Sequence, residues 1–241
     1  SKTAIIKMNQ SYAEILARHV FELKYEHLSS STIQKTKQCL LDYIGGVFHA
    51  SKSDTAISYI NLAKELGGDG TAEILGSKVK TTASYAAFAN AALGHIAETD
   101  DGHRASIMHI GTVVFPVIFA LKSETLIDGK DIIEAAVAGY ELAIRVGECL
   151  NQSHYNTWHT TATAGTFGAA AAAAKILKLT EEQTAWTLAH AGTQMAGLWQ
   201  FLDDSCLTAK VLHPAKSAQN GIIAAFTAKA NIPGPSHIFE G

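Results

Sequence analysis

Proline is scarce in this chain of 241 residues: only Pro116, Pro214, Pro233 and Pro235 occur. Proline deletes a helix hydrogen bond and clashes with the preceding turn, so its scarcity leaves long stretches free to run helical. Cysteine is scarcer still. Cys39, Cys149 and Cys206 lie far apart with no C-x-x-C, which argues against a disulfide framework and fits reduced thiols. Charge is sparse as well: 17% of residues are charged, the formal net charge is -3, and there is no basic run to favour nucleic acid. The longest apolar stretch, around residues 168–174, is mostly alanine and too short to span a bilayer. The start, Ser1 to Lys7, has no long apolar core, so no signal peptide is expected. A cytoplasmic protein with no membrane partner is the expectation.

Several catalytic signatures are also missing. There is no H-E-x-x-H, and His154 and His159 are five residues apart, off one helical face, so the eleven histidines show no metal-ligand spacing. Gly165-Thr166-Phe167-Gly168 lacks the lysine and preceding strand of a phosphate loop, and no Gly-x-Ser-x-Gly elbow occurs. These absences leave acid/base chemistry without metal or cofactor as the class to look for.

What is present is helical periodicity. Apolar residues recur at helical spacing over Tyr12–Phe21, after a cap at Ser31, and from Thr55 to Leu66. Further helices are predicted from Ser84 toward His95, over Thr112–Leu121 with Pro116 near the first turn, and over Ile132–Cys149 after an Asp128 cap. Small residues dominate Thr163–Leu177, which predicts a central helix hemmed in by neighbours. Thr180 to Gln183 reads as an N-cap signature, and Ser217–Ala230 as the last helix. Only Gly70–Thr82 looks extended. The fold class is therefore all-α, with nine or so helices in a single domain over 1–241.

Three polar constellations interrupt this apolar sequence. The first gathers His95, Glu98, Asp100, Asp101, His103, Arg104 and His109 into fifteen residues between apolar flanks. Carboxylates beside imidazoles can shift each other's pKa toward the working pH, as general acid/base catalysis requires. The alternative is a solvated turn at Asp100-Asp101-Gly102. The second runs from His154 through His159, Thr160 and Thr161 into the small-residue helix, whose N–H groups favour an anion such as a carboxylate. It reads equally as a capping segment. The third, Lys210 with His213-Pro214, offers a carboxylate anchor or an activated amine, against the alternative of a surface charge.

Taken in order, these segments resemble the MmgE/PrpD family, which includes dehydratases, decarboxylases and epimerases. The likeness rests on Ala87 to His95 leading into Asp100-Asp101, on Gly139-Tyr140-Glu141, and on His159 with Thr163 to Ala173. It continues through Lys210 to Pro214 and the closing Gly234-Pro235 and Glu240-Gly241. The resemblance implies a helical domain with a metal-free, cofactor-free site that moves a proton next to a carboxylate or imine of a small di- or tricarboxylate. Isomerase/epimerase and lyase (dehydratase or decarboxylase) stay open. Carried onto this sequence, it implies Asp101, His109, His159 and Lys210 in catalysis with Glu98 and Asp100 beside them in substrate binding, and the residues themselves add His103, Arg104, Thr160 and His213 as substrate-binding candidates. It also implies an α/β lid domain, absent from this chain, that supplies a tyrosine and the far wall. The partner is then a second copy in a homodimer or a complementary lid-domain chain. Glu98 stands where an aspartate is usual, and Gly102-His103-Arg104 where a threonine usually follows the aspartate pair. The Asp100-Asp101-Gly102-His103-Arg104 form looks closer to epimerase-like and uncharacterised members, and Arg104 would add a bidentate carboxylate clamp.

Overall fold

The computed structural model describes residues 10–241. The N-terminal stretch read above for a signal peptide lies outside them. Nine α-helices of 11 to 21 residues and three of four residues occur among the described residues, with one small hairpin. They are α1 (Tyr12–Glu22), α2 (Ser30–Ala50), α3 (Asp54–Gly67), β1 (Ala72–Glu73), β2 (Lys80–Thr81), α4 (Ala83–His95), α5 (Gly111–Leu121) and α6 (Gly129–Cys149). Then follow the one-turn α7 (Gln152–Tyr155), α8 (Thr160–Ile176), α9 (Glu181–Gly192), the one-turn α10 (Gln200–Asp203) and α11 (Leu207–Lys210), and α12 (Leu212–Lys229). No described helix is long and apolar enough to cross a membrane.

Local chemistry sets the starts. Ser11, Asp128 and Thr180 open α1, α6 and α9 with reciprocal capping boxes through Glu14, Asp131 and Gln183. Each box satisfies two N–H groups that the first turn leaves without partners. Gly68, at φ 64°, closes α3.

The centre is α8. Every residue from Thr160 to Ile176 except Lys175 is buried, against α6, α12, α5 and α9. Gly168 shows why small residues are needed there: a Cβ would come within 2.8 Å of both Ala143 Cβ and the Gly139 carbonyl oxygen of α6. The two backbones touch. Beside it, α5 is buried on nearly all sides, and Phe115, Ile118 and Leu121 are fully sequestered. Each such side chain contributes roughly 1.5–3 kcal/mol of hydrophobic stabilisation.

The structure departs from the sequence reading at several boundaries. Pro116 is the sixth residue of α5, inside the helix rather than near its first turn. It removes the N–H that the Thr112 carbonyl would have received, while the Thr112 hydroxyl binds α5 to α4 by donating to the Ala91 carbonyl at 2.8 Å. The second helix is capped by Ser29, not Ser31, and α8 begins three residues earlier than expected. The last helix begins at Leu212, five residues early, because Pro214 sits in its first turn, where a missing N–H costs nothing. Gly70–Thr82 is the expected extended turn: β1 and β2 pair antiparallel, Ala72 opposite Thr81. Asn90 of α4 ties the hairpin down, donating to the Glu73 carbonyl and accepting from the Leu75 N–H. At the opposite end of α4, His95 leads into a loop that meets the start of α8 and the α10–α12 segment.

Candidate active site

The loop after α4 is built around two aspartates with different tasks. Asp101 folds back onto the start of α5: its Oδ1 accepts the Gly111 N–H at 2.9 Å, and its Oδ2 accepts the Tyr140 hydroxyl at 2.5 Å. A carboxylate here completes the helix N-terminus and meets its positive end. Burial, with the Asp101 charge next to it, pushes the Tyr140 hydroxyl well above its ordinary pKa, so it stays a donor. Asp100 faces the other way. Its Oδ2 accepts from His95 Nδ1 at 2.8 Å, and the two side chains are 3% and 0% exposed. His95 Nε2 and Asp100 Oδ1 are both buried without a hydrogen-bond partner.

His109 closes the loop. Its backbone N–H donates to the Thr161 hydroxyl at 3.1 Å, and its Nδ1 lies 2.8 Å from the Asp101 carbonyl oxygen. A carbonyl only accepts, so Nδ1 carries hydrogen, and Nε2 of the neutral ring is left as the basic atom. The intervening turn is pinned where His103 and Met108 pair across it.

The opposite wall comes from the start of α8. His159 occupies its N-cap position, and its N–H donates to the Gly197 carbonyl at 2.9 Å. Gly197 is required there: its φ is +129°, and a Cβ would lie 2.4 Å from Ala162 Cβ. Trp199 packs on the His159 ring with centroids 4.6 Å apart and is itself fixed by donating Nε1–H to the Tyr155 carbonyl at 2.6 Å. Behind the ring, His159 Nδ1 meets His213 Nδ1 at 2.9 Å. Burial foremost, then the charges of His213, His95, Lys210 and His109, lowers the His159 pKa to about 2. Burial, His95 and Lys210 lower His213 to about 4.

Between these walls lies an open cavity of about 510 Å³. Of the ten residues singled out from sequence, His103, Arg104, His109, His159 and Lys210 line it. Glu98 joins through Lys210, whose ammonium it holds at 3.1 Å. Asp100, Asp101, Thr160 and His213 lie outside the lining: the aspartates position the loop, Thr160 is buried as the first residue of α8, and His213 backs His159. Tyr155 and Thr161 belong to the constellation read from His154 to Thr161 without a role of their own, and Trp199, which lines the cavity, and Tyr140, which holds the loop, were given no site role.

Among the described residues, His95, Asp100 and His109 bring ligand-type atoms within 4.8 Å of one another. His95 Nδ1, Asp100 Oδ2 and His109 Nδ1 are engaged in hydrogen bonds, whereas His95 Nε2 and Asp100 Oδ1 have no partner.

The profile of the MmgE/PrpD N-terminal domain matches residues 14–241. The chain belongs to the MmgE/PrpD family. Human cis-aconitate decarboxylase is 29% identical over 253 residues, covering 97% of this chain and 49% of that protein. Cis-aconitate decarboxylase of Aspergillus terreus is 27% identical over 226 residues, 90% and 46% of the two chains. The cis-aconitate decarboxylase-like protein oryM of Aspergillus oryzae is 28% identical over 237 residues, 93% and 48%. This MmgE/PrpD chain thus spans about half the length of the curated relatives it matches.

Proposed function

We propose that this chain forms one half of an acid/base lyase site for a small di- or tricarboxylate, without metal or cofactor. The observation that carries the reading is the convergence of two imidazoles and two cations, His109, His159, Arg104 and Lys210, on one cavity. Arg104 and Lys210 bind substrate carboxylates, and a substrate carboxylate displaces Glu98 from Lys210. His109, with its tautomer fixed by the Asp101 carbonyl, moves a proton at Nε2. In a decarboxylation, loss of CO2 leaves an electron pair on carbon, which takes a proton from an imidazolium. In a dehydration, the histidine takes the proton from carbon and hydroxide leaves with a second proton. Relatives named as decarboxylases favour the lyase over the isomerase or epimerase whose members Gly102-His103-Arg104 resembles.

A second reading makes the chain a helical subunit completed by a separate lid-domain chain. It is favoured by the open cavity. A cytoplasmic homodimer belongs to the first reading, supported by Leu41 and Phe48, which are exposed seven residues apart on α2. Light scattering separates a self-pair from a mixed pair. The function itself is tested by assaying the complete protein against a panel of di- and tricarboxylates for CO2 release and loss of water. Turnover abolished by His109→Gln supports the reading, and none across the panel rejects it.

A further inference from the structure

His159 and His213 meet through the same atom type: both nitrogens at the 2.9 Å contact are Nδ1. Two lone pairs repel at that distance, so one proton lies between them, and its owner decides what His159 presents at Nε2. With the proton on His159 Nδ1, Nε2 is a bare lone pair and a base. With it on His213 Nδ1, His159 Nε2 carries hydrogen and is an acid. His213 does not line the substrate cavity. It lines a second cavity of about 730 Å³ with Trp158, Leu198, Phe201, Asp204 and Lys216. One imidazole pair therefore joins two separate spaces.

We propose that His213 is a positioning residue that passes protons between His159 and the second cavity, turning His159 from base to acid within one turnover. The proposal rests on the acid/base reading of the site given above. As His159 Nε2 takes a proton from substrate, its Nδ1 proton passes to His213 Nδ1, and the Nε2 proton of His213 leaves into the second cavity. His159 is then neutral with hydrogen on Nε2, ready to deliver it. The return step runs backwards: Nε2–H goes to product or leaving group, Nδ1 regains its proton from His213, and His213 Nε2 is reprotonated from solvent. No net charge stays on the pair.

This device answers a difficulty in the site. His159 is 3% exposed, and His95, His109 and Lys210 surround it, so a lasting imidazolium there is strongly disfavoured. His213 feels His95 and Lys210, and Lys216 and Asp204 line the second cavity with it. Lys216 is engaged with the Gln219 side chain. Sharing one mobile proton lets His159 change role while the buried pair stays neutral.

The test uses the complete protein labelled with ¹⁵N-histidine. The expected result is a through-hydrogen-bond coupling between the two Nδ1 atoms, with His159 Nε2 averaging between protonated and bare, and both lost in His213→Gln. In turnover, His213→Ala is expected to lower kcat at least tenfold with KM within twofold, and added imidazole to restore the rate from the second cavity. His213→Gln, which keeps the packing but not the relay, is expected to resist rescue. Its rate should vary linearly in H2O–D2O mixtures where the unaltered protein gives a curve. Uncoupled nitrogens in an active protein overturn the relay, as does His213→Gln with full kcat and a curved response. Coupled nitrogens in a protein that turns over no polycarboxylate overturn the catalytic reading instead.

Discussion

His109 and Asp101 are bound to each other through the backbone: His109 Nδ1 donates to the Asp101 carbonyl at 2.8 Å. The Asp101 side chain meanwhile caps α5 and accepts the Tyr140 hydroxyl. The imidazole that faces the cavity is thus held by a residue whose own carboxylate is anchored in α5 and α6. Tyr140→Phe removes the charge-assisted bond and is expected to cost about 1.5–3 kcal/mol. Urea unfolding measures the loss, and activity should fall with it as the His109 loop loosens. Unchanged stability would mean that the Tyr140 contact is not holding the loop.

The buried His159 makes acid a destabilising condition. Its pKa falls from 6.5 unfolded to about 2 folded, so between these values the unfolded chain binds a proton that the fold refuses. Stability from this group is intact above pH 6.5 and declines by about 1.4 kcal/mol for each pH unit below it. Urea midpoints from pH 7 to pH 5 should therefore fall more steeply in the unaltered protein than in His159→Gln. Parallel slopes would show that His159 is not held neutral by burial.

Backbone contact between α6 and α8 gives a prediction about the fold alone. Gly168→Ala drives a methyl to within 2.8 Å of Ala143 and of the Gly139 carbonyl. Overpacking of this kind costs about 1–3 kcal/mol, which should exceed the benefit of replacing a helical glycine. A higher melting temperature for Gly168→Ala would contradict the packing described.

Arg104 lines the cavity with no carboxylate within ion-pairing distance among the described residues, whereas Lys210 is held by Glu98. Arg104→Met is expected to raise KM for a polycarboxylate about 10- to 100-fold, the value of one charge-assisted contact, with a smaller effect on kcat. Arg104→Lys should recover only part, since an ammonium lacks the bidentate fork. An unchanged KM in Arg104→Met would remove it from substrate binding.

Much of this was legible in the sequence, for identifiable reasons. Capping boxes at Asp128 and Thr180 and the alanine-rich run of α8 are local signals, and they placed the helices and the central one among them. Pro214 misplaced the start of the last helix because a proline reads as punctuation unless the first turn absorbs it, whereas the helix holding Pro116 was read to within one residue of its observed bounds. At the site, histidines crowded near aspartates stood out against apolar flanks, but division of labour did not. Nothing local says that Asp101 caps a helix ten residues on, or that Asp100 faces His95 rather than substrate. His213 looked like a carboxylate ligand from its spacing to Lys210. Its contact with His159, 54 residues away, belongs to tertiary structure. Tyr140 and Trp199 were hidden for the same reason.

The central claim is that His109 and His159 move a proton at a substrate carbon. The direct measurement is turnover of a di- or tricarboxylate by the complete protein in deuterated water, followed by mass and NMR analysis of the product. The account predicts one solvent deuteron on the carbon that loses CO2 or, where water is lost instead, solvent deuterium exchanged into recovered substrate at the carbon that gives up its proton, with the rate cut about 10²- to 10⁴-fold in His109→Gln and in His159→Gln. Decarboxylated product and recovered substrate both free of deuterium, or both variants working at the unaltered rate, would contradict it.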